Sequence, residues 1–190
     1  MNFKELKELN LSGNNISDIN VLEKVKFEKL EILNLGWNEI SNINVLENVN
    51  YIELKELFLS GNNILDINVL EKVKFEKLEK LYLAKNEISN IEVLKKVNFK
   101  ELKELIFNCN KISDIKVFEN VKFHKLEKLY LSSNKISNIN ILDKVNFRDL
   151  KILYLDDNNI TDIKVLEKVK FENLEIINFG LNKILNNINI

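Results

Sequence analysis

Leucine and isoleucine stand at fixed offsets along this chain, with polar residues filling the places between them. The stretch Leu126 to Ile136, LEKLYLSSNKI, shows the arrangement: leucines at 126, 129 and 131, an asparagine at 134 and an isoleucine at 136. The spacing returns eight times, from Leu6, Leu30, Leu54, Leu78, Leu102, Leu126, Leu150 and Leu174, always 24 residues apart. A constant period of this kind predicts stacked coils, each burying its apolar face against its neighbours.

Two shorter periods alternate inside each unit. Leu9-Asn10-Leu11 reads as a strand, with Leu9 and Leu11 facing one way and Asn10 the other, because side chains alternate across a strand. Leu6, Leu9, Leu11 and Ile16 then fill the inside of the coil. Asn14 and its equivalents Asn38, Asn62, Asn86, Asn110, Asn134, Asn158 and Asn182 follow the strands. An inward asparagine can pair the backbone groups that a turn leaves open, and stacked copies can form a ladder. From Ile16 to Val25 the period becomes three, through Ile19, Leu22 and Val25, which predicts a short helix or 3₁₀ segment. Asp18, Asn42, Asp66, Asn90, Asp114, Asn138, Asp162 and Asn186 are placed to cap these segments. Phe3, Phe27, Tyr51, Phe75, Phe99, Phe123, Phe147 and Phe171 open successive units and are expected to stack as a core spine.

The spacing L-x-x-L-x-L-x-x-N-x-I resembles the leucine-rich repeat family from Phe3 to about Ile184. The resemblance implies an α/β fold, a leucine-rich repeat solenoid shaped as an arc. Its parallel β-sheet would line the concave face, with short helical or 3₁₀ segments on the convex face. Residues 1–190 are then expected to form one domain of eight repeats: 3–26, 27–50, 51–74, 75–98, 99–122, 123–146, 147–170 and an incomplete 171–190. The ISDI phrase and the short, regular units look like those of SDS22-like phosphatase regulators and internalin-like repeats. Both usually have units of about 22 residues, so the extra residues around Lys26-Phe27 depart from them.

Odd and even units differ, which makes 48 residues the fuller period. After the first leucine the column reads Lys7, Glu31, Lys55, Glu79, Lys103, Glu127, Lys151, Glu175; before it, Glu5, Lys29, Glu53, Lys77, Glu101, Lys125, Asp149, Asn173. Equivalent residues on stacked parallel strands lie only about 4.8 Å apart, so alternating signs replace repulsion with weak pairs. Duplication of a two-unit cassette would produce the same alternation. Either way the columns are expected to be a self-complementary flank.

Charge and composition narrow the functions. The 28 lysines and arginines nearly cancel the 29 aspartates and glutamates, so no net field draws the chain to nucleic acid or to an anionic membrane. No apolar run is long enough to cross a bilayer, Met1-Asn2-Phe3-Lys4 opens directly on a unit without a signal-peptide pattern, and one cysteine permits a reducing compartment. A cytoplasmic location is the expectation. Catalysis is not expected: Cys109 aligns with Ser133, and His124 lies nine positions before Ser133, up to about 30 Å away along an extended chain. No cofactor is implied. Asp156 and Asp157 form a local acidic pair, but Ser132, Ser133 and Gly180 offer few further metal ligands.

In the family that the pattern resembles, partners usually bind the concave face through variable positions of the strand and the following turn. Here the outward strand position holds Asn10, Asn34, Phe58, Tyr82, Ile106, Tyr130, Tyr154 and Asn178, polar at the ends and aromatic or apolar between. Trp37 adds the only tryptophan near one end of that stripe. Tyr and Trp bring large contact areas with few rotors and are enriched in binding hot spots. The next column inward, Glu8, Ile32, Glu56, Lys80, Glu104, Lys128, Ile152 and Ile176, could supply a mixed-charge rim. The expected partner-binding set is therefore Trp37, Phe58, Tyr82, Ile106, Tyr130 and Tyr154 with Glu56, Lys80, Glu104, Lys128, Asp156 and Asp157. The expected function is a scaffold that docks another protein. Two alternatives stay open: substrate recognition for a larger enzyme, and a structural spacer that associates end to end through units lacking polar caps.

Overall fold

The computed structural model describes residues 3–185. Met1-Asn2, the expected cap Asn186 and the interrupted pattern at Asn187 lie outside the described residues. Eight three-residue strands, β1 (Glu8–Asn10), β2 (Ile32–Asn34), β3 (Glu56–Phe58), β4 (Lys80–Tyr82), β5 (Glu104–Ile106), β6 (Lys128–Tyr130), β7 (Ile152–Tyr154) and β8 (Ile176–Asn178), form one sheet in sequence order. All pairs are parallel and offset by one unit, so Leu57 faces Leu81 and Phe58 faces Tyr82. The register is fixed from inside: a slip of one residue would turn every strand leucine to solvent.

Each coil returns through a short 3₁₀ turn, from Asn20–Lys24 in the first to Lys164–Glu167 in the seventh. Three residues per turn keep Ile43 and Leu46 on one inward face, and both are buried. The spacing of three does not account for one further column. Val45, Val69, Val93, Val117, Ile141 and Val165 are also buried, whereas the equivalent Val21 of the first coil is 61% exposed. The preceding coil covers this position, and the first coil has none before it among the described residues.

The turn-opening residues sit differently from the expected caps. The helix N-caps are Ile19, Ile43 and their equivalents, and none receives a side-chain cap bond. One residue earlier, the Asp18 carboxylate accepts the Asn20 N–H at 2.8 Å, and Asn42, Asp66, Asn90, Asp114, Asn138 and Asp162 repeat this bond. The tight 3₁₀ start brings the first helical N–H within reach of a side chain two residues before it.

The core is one continuous cluster running the length of the stack. The aromatic spine forms as expected at its centre, with ring centroids 5.8 Å apart for Phe27–Tyr51 and 6.5 Å for Tyr51–Phe75. In the fifth coil phenylalanine replaces leucine at Phe107 and Phe118, and Phe118 meets Phe147 edge-on at 5.8 Å. The asparagine ladder is the polar counterpart of this core. The Asn62 amide donates to the carbonyls of Leu35 and Leu59 at 3.0 Å each, while its oxygen accepts the Ile40 N–H at 2.9 Å. One side chain thereby joins two coils and satisfies backbone groups that burial would otherwise leave open.

Candidate binding face on the concave sheet

The alternation of each strand sends two side chains to the open face and one apolar side chain inward, a leucine in β1 to β7 and Ile177 in β8. Phe58, Tyr82, Ile106, Tyr130 and Tyr154 therefore stand on five consecutive strands in direct register. All five are half-buried. They do not form a uniform stack. Phe58 meets Tyr82 edge-on, centroids 4.7 Å apart and planes at 87°, and Tyr130 meets Tyr154 at 5.2 Å and 70°. Ile106 separates the two pairs.

The charged column lies on this same face, two residues back along each strand. Lys80 Nζ reaches Glu56 at 2.8 Å, and Lys128 Nζ lies 3.7 Å from Glu104. The Glu104 side chain is only 14% accessible, enclosed beside the tyrosines. Burial first, then the negative charge of Glu104, holds the Tyr82 hydroxyl well above the ordinary tyrosine range, and the same causes raise Tyr130. Both tyrosines are thus neutral hydrogen-bond donors at physiological pH. Ile32 and Ile152 continue the column as apolar positions on either side of the paired charges.

Trp37 belongs to another column. It lies in the turn after β2 with a left-handed backbone, φ 56°, a conformation shared by Lys85, Cys109, Ser133, Asp157 and Leu181 in later coils. Its indole rests on Gly61, where a β-carbon would come within 2.8 Å of the ring, and Lys85 Nζ stands 4.6 Å from the ring centroid. The ring is 58% exposed yet held from two sides. Asp157 occupies the same turn column, and Asp156 Oδ1 accepts the Ser132 hydroxyl at 2.6 Å. The structure thus gathers the two aromatic pairs, Ile106 and the charge pairs, and sets Trp37 and Asp157 in the adjoining turns. Sequence reading missed the Lys85–Trp37 contact, for which only the match of Lys85 to the Trp37 column two units on was available.

Beside the face runs the expected charged flank. Glu31 sits between Lys7 and Lys55 at 3.1 and 2.6 Å, Lys103 pairs with Glu79 and Lys151 with Glu127, both at 2.8 Å. In the other column Lys29 pairs with Glu5 and Lys77 with Glu53, both at 2.6 Å, and Lys125 pairs with Glu101. Hydrogen bonds from lysines hold the carboxyls of Glu31, Glu101 and Glu127 below the ordinary carboxylate value. Among the described residues, no three His, Cys, Asp or Glu side chains gather as a metal site requires, and no helix is long and apolar enough to cross a membrane. Cys109 and His124 are both exposed, Cys109 just after β5 and His124 in the turn before β6.

Family comparison matches a model described as "Leucine Rich repeats (2 copies)" to residues 4–48, 52–96 and 100–144, and one described as "Leucine Rich Repeat" to 150–171. No curated protein sequence matches the chain. Among solved structures, an internalin C2 from Listeria monocytogenes is similar at 28% identity with a TM-score of 0.78, over 93% of this chain and 72% of that one. An internalin, inlF, from the same organism is similar at 24% identity and 0.71, over 96% and 57%. A plant peptide hormone receptor, RGFR1, solved in complex with RGF2, is similar at 20% identity and 0.67, over 95% and 33%. The last two likenesses are of fold.

Proposed function

Because the chain belongs to the leucine-rich repeat family, whose members are generally protein-binding scaffolds, we propose that it docks a partner protein on its concave face. The contact is made through Phe58, Tyr82, Ile106, Tyr130 and Tyr154. What supports this reading is the register of those five side chains on adjacent strands of an open sheet. Edge-to-face pairing fixes the rings before a partner arrives, so little side-chain entropy remains to be lost on binding. The neighbouring charges enter the contact already neutralised, Lys80 by Glu56 and Lys128 by Glu104, which limits the desolvation cost of covering them. Trp37, Asp156 and Asp157 extend the contact along the turn edge in this reading.

The test is capture of partners from the source cell with the parent chain and with the Tyr82→Ala/Tyr130→Ala/Tyr154→Ala variant side by side. The reading expects proteins retained by the parent to be lost from the variant, with circular dichroism unchanged. Equal retention by a folded variant would remove the concave face from consideration.

A further inference from the structure

Two features of the open face recur across a two-coil interval, the charges Glu56 and Glu104 and the tyrosines Tyr82 and Tyr130. Tyr82 on β4 and Tyr130 on β6 stand two strands apart, with the smaller Ile106 of β5 between them. The edge-to-face pairs Phe58–Tyr82 and Tyr130–Tyr154 thus bound a gap whose floor is Ile106. With about 4.8 Å between hydrogen-bonded strands, the tyrosines repeat at about 9.6 Å.

The backbone donors beside them keep the same double period. Two residues past the outward strand position, each coil has an N–H that the sheet does not take up. Asn34 Oδ1 accepts that of Gly36 at 3.0 Å, Ser60 Oγ that of Ala84 at 3.1 Å, and Asn108 Oδ1 that of Ser132 at 2.9 Å. The N–H groups of Ser60, Asn108 and Asp156 find no acceptor among the described residues. For the first two, the equivalent residues on the preceding coils are Gly36 and Ala84, which have no polar side-chain atom, and for Asp156 it is Ser132, whose hydroxyl is turned to the Asp156 carboxylate. Successive open donors are again two coils, about 9.6 Å, apart.

We propose that this face takes a proline-rich segment of the partner in the polyproline II conformation, crossing the strands with a proline seated on Ile106 between Tyr82 and Tyr130. This rests on the reading of the concave face as the docking site. A polyproline II helix has three residues per turn and rises about 3.1 Å per residue, so equivalent groups recur every 9.3 Å or so, in step with the double coil. A β-extended peptide would return side chains to the sheet about every 6.6 Å and lose step with the tyrosines after one repeat. Polyproline II carbonyls have no internal partner, which leaves them free to accept from the Ser60, Asn108 and Asp156 amides and from the Tyr130 hydroxyl. Its preset backbone also suits a rigid, aromatic-lined groove.

The probe is an oligoproline of about nine residues, long enough to span the open donors from Ser60 to Asp156, titrated into the full chain beside a glycine-serine peptide of equal length. The oligoproline is expected to bind at least about tenfold more tightly, and Tyr82→Ala/Tyr130→Ala to remove that advantage. Ile106→Tyr, which fills the gap with a residue that neighbouring strands already carry, is expected to abolish oligoproline binding and keep the fold. In the parent, the amide resonances of Ser60 and Asn108 should move downfield on saturation. Equal affinity for the two peptides, or oligoproline binding that survives Ile106→Tyr, overturns the proposal. A proline-free peptide library separates the two levels of the argument. Binders lost with the tyrosines but indifferent to proline sink the polyproline II occupant and leave the docking face standing, whereas tyrosine-independent binding of every peptide sinks both.

Discussion

The side-chain oxygen of Asn110 accepts the backbone N–H of Ile88, 22 residues earlier, at 3.0 Å. Its amide donates within its own coil, to the Phe107 carbonyl at 3.0 Å, and back one coil, to the Leu83 carbonyl at 2.9 Å. One buried residue therefore closes its own turn and locks it to the coil before. Asn110→Leu keeps the volume but leaves a buried N–H and buried carbonyls without this partner. It is expected to cost about 2 to 4 kcal/mol in urea unfolding. Asn14, in the exposed first coil, donates only to the nearby carbonyls of Leu11 and Ser12 among the described residues, so Asn14→Leu should cost about 1 kcal/mol or less. Equal losses at the two positions would mean that the ladder does not couple the coils.

Gly61 and Gly13 share a left-handed φ of 71° but differ in what surrounds them. Nothing lies within 4 Å of a β-carbon built on Gly13, while one on Gly61 meets the Trp37 ring at 2.8 Å. Gly13→Ala should therefore show only the backbone cost, about 1 kcal/mol, and leave tryptophan emission unchanged. Gly61→Ala must also lift the indole from its seat, so emission should shift and the loss of stability should be larger. Since Trp37 is the only tryptophan, its fluorescence reads this contact alone. Identical spectra for the two variants would show that the ring does not depend on Gly61.

These relationships differ in how far the sequence discloses them. The leucine, asparagine and aromatic columns are legible because strand alternation and the unit length fix which positions face inward. The charge ladder is legible for the same reason, since a constant register puts Lys55 beside Glu31. The concave stripe follows from the register too, but its division into two ring pairs around Ile106 does not, because side-chain tilt is decided by the neighbours. The burial of Val45 and its equivalents escapes a period of three because the preceding coil supplies the cover. The left-handed turn column is hidden as well: Gly13 and Gly61 advertise it, but Trp37, Lys85, Cys109, Ser133 and Asp157 adopt the same backbone without the residue that favours it.

The flank carboxylates should shape the acid limb of the stability curve. Lysine hydrogen bonds hold Glu31, Glu101 and Glu127 below their ordinary value of 4.5 in the folded chain. A depressed folded pKa contributes stability that is present above the unfolded value and lost as pH falls through the folded one. The urea midpoint of the parent should therefore hold steady near neutrality and fall on acidification below about pH 4.5. Glu31→Gln/Glu101→Gln/Glu127→Gln should lie lower at neutral pH and fall less steeply in acid. The gap at neutral pH should narrow in high salt, because the pairs are exposed. Parallel acid limbs for parent and variant would remove these pairs as the cause.

Tyr51 offers a separate test of the aromatic spine, because seven other coils have phenylalanine in its place. Its ring is 2% exposed between Phe27 and Phe75, and its hydroxyl donates to the Leu22 carbonyl at 3.2 Å. Burial alone raises its pKa, so the hydroxyl stays protonated and the bond is between neutral groups. The Leu22 carbonyl also accepts the Val25 N–H, at a long 3.4 Å. Tyr51→Phe preserves the ring contacts and removes one neutral hydrogen bond, leaving the carbonyl its weaker partner. The expected cost is about 0.5 to 1.5 kcal/mol. Tyr51→Ala empties the centre of the spine between two coils and should cost about 3 to 5 kcal/mol. Measured by urea unfolding, the two variants separate ring packing from the hydroxyl: a Tyr51→Phe loss as large as that of Tyr51→Ala would put the stability of this coil in the hydrogen bond and not in the stacked rings.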